Sequence, residues 1–382
     1  MAIRKILVSA GEASGDLYAT GLVGRLRERF PAAEFFGCAG PRMRQAGVRT
    51  LVDAAELAVV GIFEVIAHIP RIYGLYRRLW RAAQRERPDL AILTDSPDFH
   101  LRLARRLKRL GIPVIYLVAP QVWAWRQGRL PLLRRTVDRL LCIFPFEEAF
   151  FRGHGIDAHY IGHPLARLVR PSLSREEFFA RYALDPSKPL VALLPGSRRG
   201  EALRHLPELL EAAERVRGRL PAQLVLAVPG GGFAGQTDFR ERIARSSIQL
   251  VEGATWEVLA RADLALAASG TVTVEAALLG TPMVIFYRVS SLTWRLGRPL
   301  VRVPYYSMVN LVAGRAVVPE LIQNEMSGER LAAEALRLLE DPAARERMRE
   351  ELNLVARALE GPEDPFAAAA RLIGKFGGVD GA

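Results

Sequence analysis

The chain has 382 residues, half of them hydrophobic and a quarter charged, as in a globular protein too long for one ordinary core, so two or three domains are expected. No run of about 18 uninterrupted apolar residues occurs, which argues against a membrane-spanning helix. The start, "MAIRKILVSAGE", has an apolar core shorter than the roughly 7–15 residues of a secretory h-region, and it reads as the first strand of a cytoplasmic protein. The formal net charge is +12, and of 53 basic residues only Lys5, Lys108, Lys188 and Lys375 are lysine. A coding preference for arginine explains that balance, and so does an anionic partner: a phosphorylated substrate, a membrane surface or nucleic acid. Cys38 and Cys142 lie far apart in apolar contexts and read as free, structural thiols of a reducing compartment.

Strands are expected over 3–9, 35–38, 90–94, 113–118, 140–144 and 159–161. Helices over 16–29, 72–87, 99–110 and 147–153 fall between them. Continuous apolar strands spaced by amphipathic helices indicate a parallel sheet covered on both faces. The rhythm pauses over 162–189, rich in Pro, Ser and charge. It resumes with strands over 190–194, 223–228, 248–251, 263–267 and 282–286, and with helices over 204–217, 258–261, 272–279 and 329–339. The predicted fold is α/β, with two doubly wound Rossmann-like domains facing a central cleft. The first covers 1–170 and the second 185–354, and a tail helix over about 355–376 returns to the first. Ligands of open α/β sheets bind outside the carboxyl ends of the strands, so the chemistry is sought in the loops there.

In "LVSAGEASGDL" (7–17), Gly11 and Gly15 flank Glu12 and Ser14, and Asp16 opens a helix. Two acids here argue against a phosphate and for sugar hydroxyls; a capped helix entrance is the structural alternative. "DLAILTDSPDFH" (89–100) ends a buried strand in two aspartates, Asp95 and Asp98. With Pro97 as the first helical residue, Ser96 is the N-cap and Asp98 lies in the first turn. Asp98 then either serves the helix dipole or takes a proton from an attacking hydroxyl.

"LLPGSRRGE" (193–201) is a strand, a glycine turn and a helix, with Arg198 or Arg199 as a forked donor to phosphate. "LALAASGTVTVEAALLGTP" (264–282) repeats the arrangement. Ser269 or Thr271 is expected to cap the helix after Gly270, and Glu275 lies one turn on, at reach for ribose hydroxyls. Neither loop is a Walker A or a strict G-x-G-x-x-G motif, and either one alone also reads as an ordinary turn. Two phosphate-type loops in one domain suit a nucleotide diphosphate. There is no D-x-D pair, and His159 and His163 share no helical face, so neither a metal nor another cofactor is expected.

Three segments mix aromatic and basic residues: 69–87, 121–135 and 292–306. Trp beside Arg suits the headgroup layer of a bilayer; any one segment reads more readily as a core-covering helix with a solvated basic face, and the three together point to an acidic amphiphile.

In order along the chain, "SAGEASGD", "GCAGPRMRQAG", "DSPDF", "PQVWAWRQGR", "PFEEAFF", "GHPLA", "LLPGSRRGE", "ASGTVTVEAALLGTPMV" and "NLVAGRAVVPEL" resemble the lipid A disaccharide synthase family, inverting glycosyltransferases of the GT-B fold. The likeness runs from residue 9 to about 321. It implies transfer of a sugar from UDP-2,3-diacylglucosamine to the 6-hydroxyl of 2,3-diacylglucosamine 1-phosphate, giving a β-1,6-linked disaccharide and UDP. It also implies work at the cytoplasmic face of a bacterial inner membrane, by peripheral contact with an anionic surface and without nucleic acid. Carried over residue by residue, Asp98 is the general base, and Glu12, Ser14 and Asp16 line the acceptor side. Arg198, Ser269, Gly270 and Thr271 hold the diphosphate, Glu275 the ribose, and Asn310 and Arg315 complete the donor pocket, with Gln323 a further candidate. Ala119 and Val309 depart from the family's pattern, the second beside Asn310. The competing readings are another GT-B enzyme, such as a UDP-sugar 2-epimerase or a transferase with a soluble acceptor, and a non-enzymatic protein binding anionic surfaces.

Overall fold

A computed structural model of the chain describes residues 3–57, 62–230 and 237–377. The chain divides into two compact units, one of Met1–Pro164 with Leu359–Ala382 and the other of Leu165–Ala358.

The sheet of the first unit contains β1 (Lys5–Ala10), β2 (Glu34–Ala39), β3 (Arg49–Asp53), β4 (Leu90–Thr94), β5 (Val114–Leu117), β6 (Arg139–Cys142) and β7 (Ala158–Tyr160). Their order is β3-β2-β1-β4-β5-β6-β7, and every pairing is parallel. The central strands are continuous apolar runs because helices cover both faces: β4 is buried along its whole length,. The edge strand β3, RTLVD, escapes the sequence reading because only Val52 in it is buried. An edge strand needs no continuous apolar signature.

The helix predicted over 72–87 spans Ile62–Glu86, with Pro70 inside it. The predicted tail helix is two helices, Pro342–Glu360 and Pro365–Gly374. Gly361 between them takes a left-handed φ of 70°, and Asp364 caps the second helix by accepting from the N–H groups of Phe366 and Ala367 at 3.0 and 2.9 Å,. That last helix lies on the Ala13–Arg29 helix. There the Phe366 ring fills the space beside Gly21, where a Cβ would sit 2.4 Å from it.

The second unit contains β8 (Leu190–Leu194), β9 (Gln223–Val228), β10 (Gln249–Glu252), β11 (Leu264–Ala268), β12 (Met283–Tyr287) and β13 (Glu320–Ile322). Their order is β10-β9-β8-β11-β12-β13, again all parallel. The three-residue β13 at the edge is too short to register as a strand in the sequence. Residues 162–189, a pause by composition, hold two short helices, Leu165–Leu168 and Arg175–Arg181. The backbone N–H and hydroxyl of Ser172 bond the buried Glu257 at 2.6 and 2.9 Å, which ties this stretch to the Thr255–Arg261 helix.

Each sheet reverses direction beside its first strand, between β1 and β4 in one unit and between β8 and β11 in the other. Crossover connections leave those two strands on opposite faces there, and the loops at their carboxyl ends splay apart to leave room for a ligand. The four loops singled out in the sequence are the ones at these two points.

Candidate functional site

In the first unit, the loops after β1 and β4 meet at Asp95. Its Oδ1 accepts from Gly11 N–H at 2.8 Å and its Oδ2 from Glu12 N–H at 3.1 Å. Gly15 is what lets the carboxylate in: a Cβ there would lie 1.8 Å from Asp95 Oδ2. Burial, and after it the charge of Glu12, push the Asp95 carboxyl up to about 8,. Asp95 and Ser96 both carry left-handed backbone, φ 53° and 37°, a strained pair for side chains with a Cβ. Two groups hold the Asp95 carbonyl: the Tyr116 hydroxyl at 2.5 Å and His100 Nδ1 at 2.9 Å. A carbonyl only accepts, so His100 carries its proton on Nδ1 and its Nε2 accepts from the Ser9 hydroxyl at 2.7 Å,. Burial lowers this histidine to about 4, which keeps it neutral.

The strained turn places Ser96, Pro97 and Asp98 as expected, at the N-cap, the first position and the first turn of the Pro97–Arg109 helix, yet the Ser96 side chain makes no capping bond. The left-handed backbone turns it away from the helix, and its hydroxyl bonds the Asp95 carboxyl instead.

Asp98, one residue past Pro97, points outward with its side chain 70% exposed. Two arginines hold it. Arg126 Nη1 donates to Oδ2 at 3.1 Å, and Arg129 donates to Oδ1. Both come from "PQVWAWRQGR", folded as a short Val122–Trp125 helix and a 3-10 turn, Gln127–Arg129. Trp123 anchors that segment: it is buried, and its Nε1 donates to Glu147 at 3.1 Å. Trp125 is exposed and carries the Arg126 guanidinium 4.0 Å from its ring centroid,.

Of the other acids expected here, Glu12 is the N-cap residue of the Ala13–Arg29 helix, beside Asp95, and Ser14 follows in the first turn. Asp16 has a different use. It is buried, and its carboxylate accepts from Gly40, Arg42 and Met43 N–H at 2.8, 3.0 and 3.2 Å. Those groups open the Pro41–Gln45 helix, so Asp16 is a helix cap within the fold rather than a free hydroxyl acceptor.

In the second unit, the turn after β8 is pinned by His205. Its Nδ1 donates to Pro195 O at 2.8 Å, and its Nε2 accepts from Arg288 N–H at 3.1 Å. Gly196 takes φ 116°, and Arg198 is the N-cap residue of the Arg199–Arg219 helix, without a side-chain capping bond. Across the switch point, Ser269 Oγ donates to Tyr306 O at 2.8 Å, and the N-cap of the Thr271–Leu278 helix is Gly270, again without a side-chain capping bond. The cap expected from Ser269 or Thr271 is therefore absent, because Ser269 is tied to Tyr306 and Thr271 is already the first helical residue. What stands at this switch point is a pair of helix N-termini with an arginine, Gly270 and Thr271 being exposed,. Glu275 lies one turn in, half-buried beside Trp256, with burial raising its carboxyl.

Asn310 lies on the Met308–Ala313 helix, which packs on the Thr271–Leu278 helix. Asn310 is buried and both ends of its amide are used: Nδ2 donates to Val318 O and Glu320 Oε1 at 3.0 and 2.8 Å, and Oδ1 accepts from Val317 and Val318 N–H at 2.7 and 3.0 Å. Its link to Ser269 runs through Glu320, which accepts from Tyr306 N–H at 2.8 Å. Arg315 pairs with Glu351 of the Pro342–Glu360 helix. Gln323 clasps Val289 through both amide ends at 3.0 and 3.1 Å. Sequence reasoning left Asp95 without a role and missed Tyr116, His100, Arg126 and Arg129. For the arginines the signal was present, as an R-x-x-R spacing inside a quoted motif.

The family model described as Lipid-A-disaccharide synthetase matches residues 6–364. A protein of Solibacter usitatus named Lipid-A-disaccharide synthase is 62% identical over 357 residues, 94% of this chain and 93% of its own length. One of the same name from Koribacter versatilis is 46% identical over 371 residues, 96% of each. Among solved structures, the glycotransferase of kitacinnamycin matches with a TM-score of 0.65 at 17% identity, covering 98% of this chain and 99% of that one. The likeness to it is one of fold: two parallel sheets among helices, the α/β build of GT-B glycosyltransferases.

Proposed function

The chain belongs to the lipid-A-disaccharide synthetase family, and from that premise we propose how its residues share the reaction. It is a glycosyltransferase that forms the lipid A disaccharide. Its substrates are a sugar nucleotide and a lipid-linked glucosamine. In our reading these are UDP-2,3-diacylglucosamine as donor and 2,3-diacylglucosamine 1-phosphate as acceptor, joined through a β-1,6 bond. The loops after β8 and β11 take the diphosphate on Arg198 and on the N-termini of the two helices beyond, near Ser269, Gly270 and Thr271, with Glu275 at the ribose. Asn310 and Arg315 act at a distance, by holding the 306–320 segment that fastens Ser269. The loops after β1 and β4 take the acceptor, with Glu12 and Ser14 beside it and Asp16 holding the neighbouring helix in place. The acceptor's hydroxyl oxygen bonds to the anomeric carbon as its proton passes to Asp98. The bond from that carbon to the diphosphate breaks on the opposite side, inverting the centre. The charge that grows on the leaving UDP meets arginine and helix dipoles already in position.

The observation that carries this reading is the contrast between the two switch points: carboxylates at one, open helix N-termini with arginine at the other. We also read the protein as a peripheral one at the cytoplasmic face of the inner membrane. Among the described residues no helix is long and apolar enough to cross a membrane. Supporting a surface contact, Leu292, Leu296 and Leu300 are 56, 66 and 52% exposed, on and just after the Ser291–Gly297 helix. Arg295, Arg298 and Arg302 lie among them, a composition suited to anionic headgroups.

Incubation of the protein with the two lipid substrates should release UDP and a disaccharide, followed by mass spectrometry. Asp98→Asn should lower turnover by roughly 10²–10⁴-fold with the fold intact. Turnover close to wild type in that variant would remove Asp98 from the chemistry.

A further inference from the structure

Each oxygen of Asp98 accepts from a guanidinium, Arg126 on Oδ2 and Arg129 on Oδ1, so an incoming hydroxyl must share the carboxylate's remaining lone pairs with two arginines. The two arginines stand three apart across a 3-10 turn, where residues i and i+3 eclipse and project together,. Arg126 N–H does not float either: it donates to Val122 O at 3.2 Å, and Arg129 N–H donates to Arg126 O at 3.0 Å. Trp125 braces the Arg126 guanidinium at 4.0 Å, and Trp123 is held by Glu147 beneath. The backbone under the pair is thus fixed, the two guanidiniums carry more donors than one carboxylate can use, and Arg126 and Arg129 remain 40 and 19% exposed in their side chains.

From this geometry, and resting on the proposed reaction, we propose that Arg126 and Arg129 form the subsite for the phosphate monoester of the acceptor sugar, and that the phosphate draws them off Asp98. A phosphate monoester offers three acceptor oxygens and up to two charges, against two oxygens and one charge on a carboxylate. Guanidinium groups match its geometry in bidentate fashion. Binding of the right acceptor then releases the base, and an acceptor without the phosphate leaves it clamped. Arg126 and Arg129 are positioning residues in this scheme, and they act on the proton transfer through Asp98.

The test compares two acceptors with one donor, UDP-2,3-diacylglucosamine: diacylglucosamine 1-phosphate, and the same sugar with a free 1-hydroxyl. The readout is UDP release by wild type, Arg126→Gln and Arg129→Gln. Wild type should show a KM roughly 10- to 100-fold lower for the phosphorylated acceptor, the worth of one charge-assisted contact or more. Each Gln variant should lose that preference, with the donor KM unmoved. Each should also raise kcat on the 1-hydroxyl acceptor, because the clamp on Asp98 is loosened; a merely structural arginine would lower it. Equal impairment on both acceptors, a raised donor KM, or a lowered kcat on the 1-hydroxyl acceptor would each overturn the subsite. Should the variants not fold, inorganic phosphate decides with the wild-type enzyme: inhibition competitive with the acceptor supports the subsite, and inhibition competitive with the donor, or none, defeats it. No UDP release from either acceptor would instead strike at the reaction itself.

Discussion

Asp95 and Asp98 stand three residues apart and meet opposite surroundings. The sequence places two carboxylates at the end of a buried strand but cannot say which one turns inward. The answer depends on two consecutive left-handed residues, which no local propensity favours. They fold Asp95 back under the Gly11 loop and leave Asp98 outward between two arginines. Because Asp95 is raised to about 8 in the folded chain, against an ordinary carboxylate value near 4 in the unfolded one, the native state holds the extra proton between those limits. Its contribution to stability is therefore full below about pH 4 and is lost as pH rises through about 8. Asp95→Asn cannot titrate. Relative to this variant, wild type should lose thermal stability from pH 5 to pH 8.5, by a shift in Tm on the order of 5 °C. Scanning calorimetry of both proteins across that range checks it, and parallel Tm curves would show that Asp95 stays ionised throughout.

Helices and central strands were legible because their apolar periodicity is strong; the edges β3 and β13 were not, being short or half-exposed. Glycine in the Ala13–Arg29 helix illustrates the same limit. Gly15 and Gly24 look alike in the sequence, and only packing tells them apart. A Cβ at Gly15 would collide with Asp95 Oδ2 at 1.8 Å and approach Thr94 Cγ2 at 3.1 Å, while at Gly24 nothing lies within 4 Å. Gly15→Ala should cost about 1–3 kcal/mol through the forced shift of Asp95. Gly24→Ala should be stabilising by about 0.4–1 kcal/mol through backbone entropy alone. Urea midpoints at constant m-value measure both, and equal effects would mean the Asp95 turn yields freely.

Across the whole molecule, a net charge of +12 draws the protein towards any anionic surface, so charge alone does not identify a docking face. The exposed leucines of 292–300 separate the two contributions. A triple variant, Leu292→Ser with Leu296→Ser and Leu300→Ser, should bind vesicles of phosphatidylglycerol about ten-fold or more weakly at moderate salt. The wild-type protein should keep part of its binding when salt screens the arginines. Co-sedimentation gives both numbers, and unaltered binding by the variant would make the contact purely electrostatic.

Apart from the edges β3 and β13, both sheets were readable from strand rhythm, and so were the loops at their switch points, because those positions follow from topology. The return of the chain's end to the first unit was readable too, as a tail helix; what was not is its seat, since Phe366 beside Gly21 joins residues far apart in the sequence. That junction has a consequence for biosynthesis. A ribosome finishes every residue of the second unit before it reaches the closing helix of the first. The lobe begun earliest is thus completed last, and until then the groove along its opening helix lies bare, waiting for a partner still to be translated.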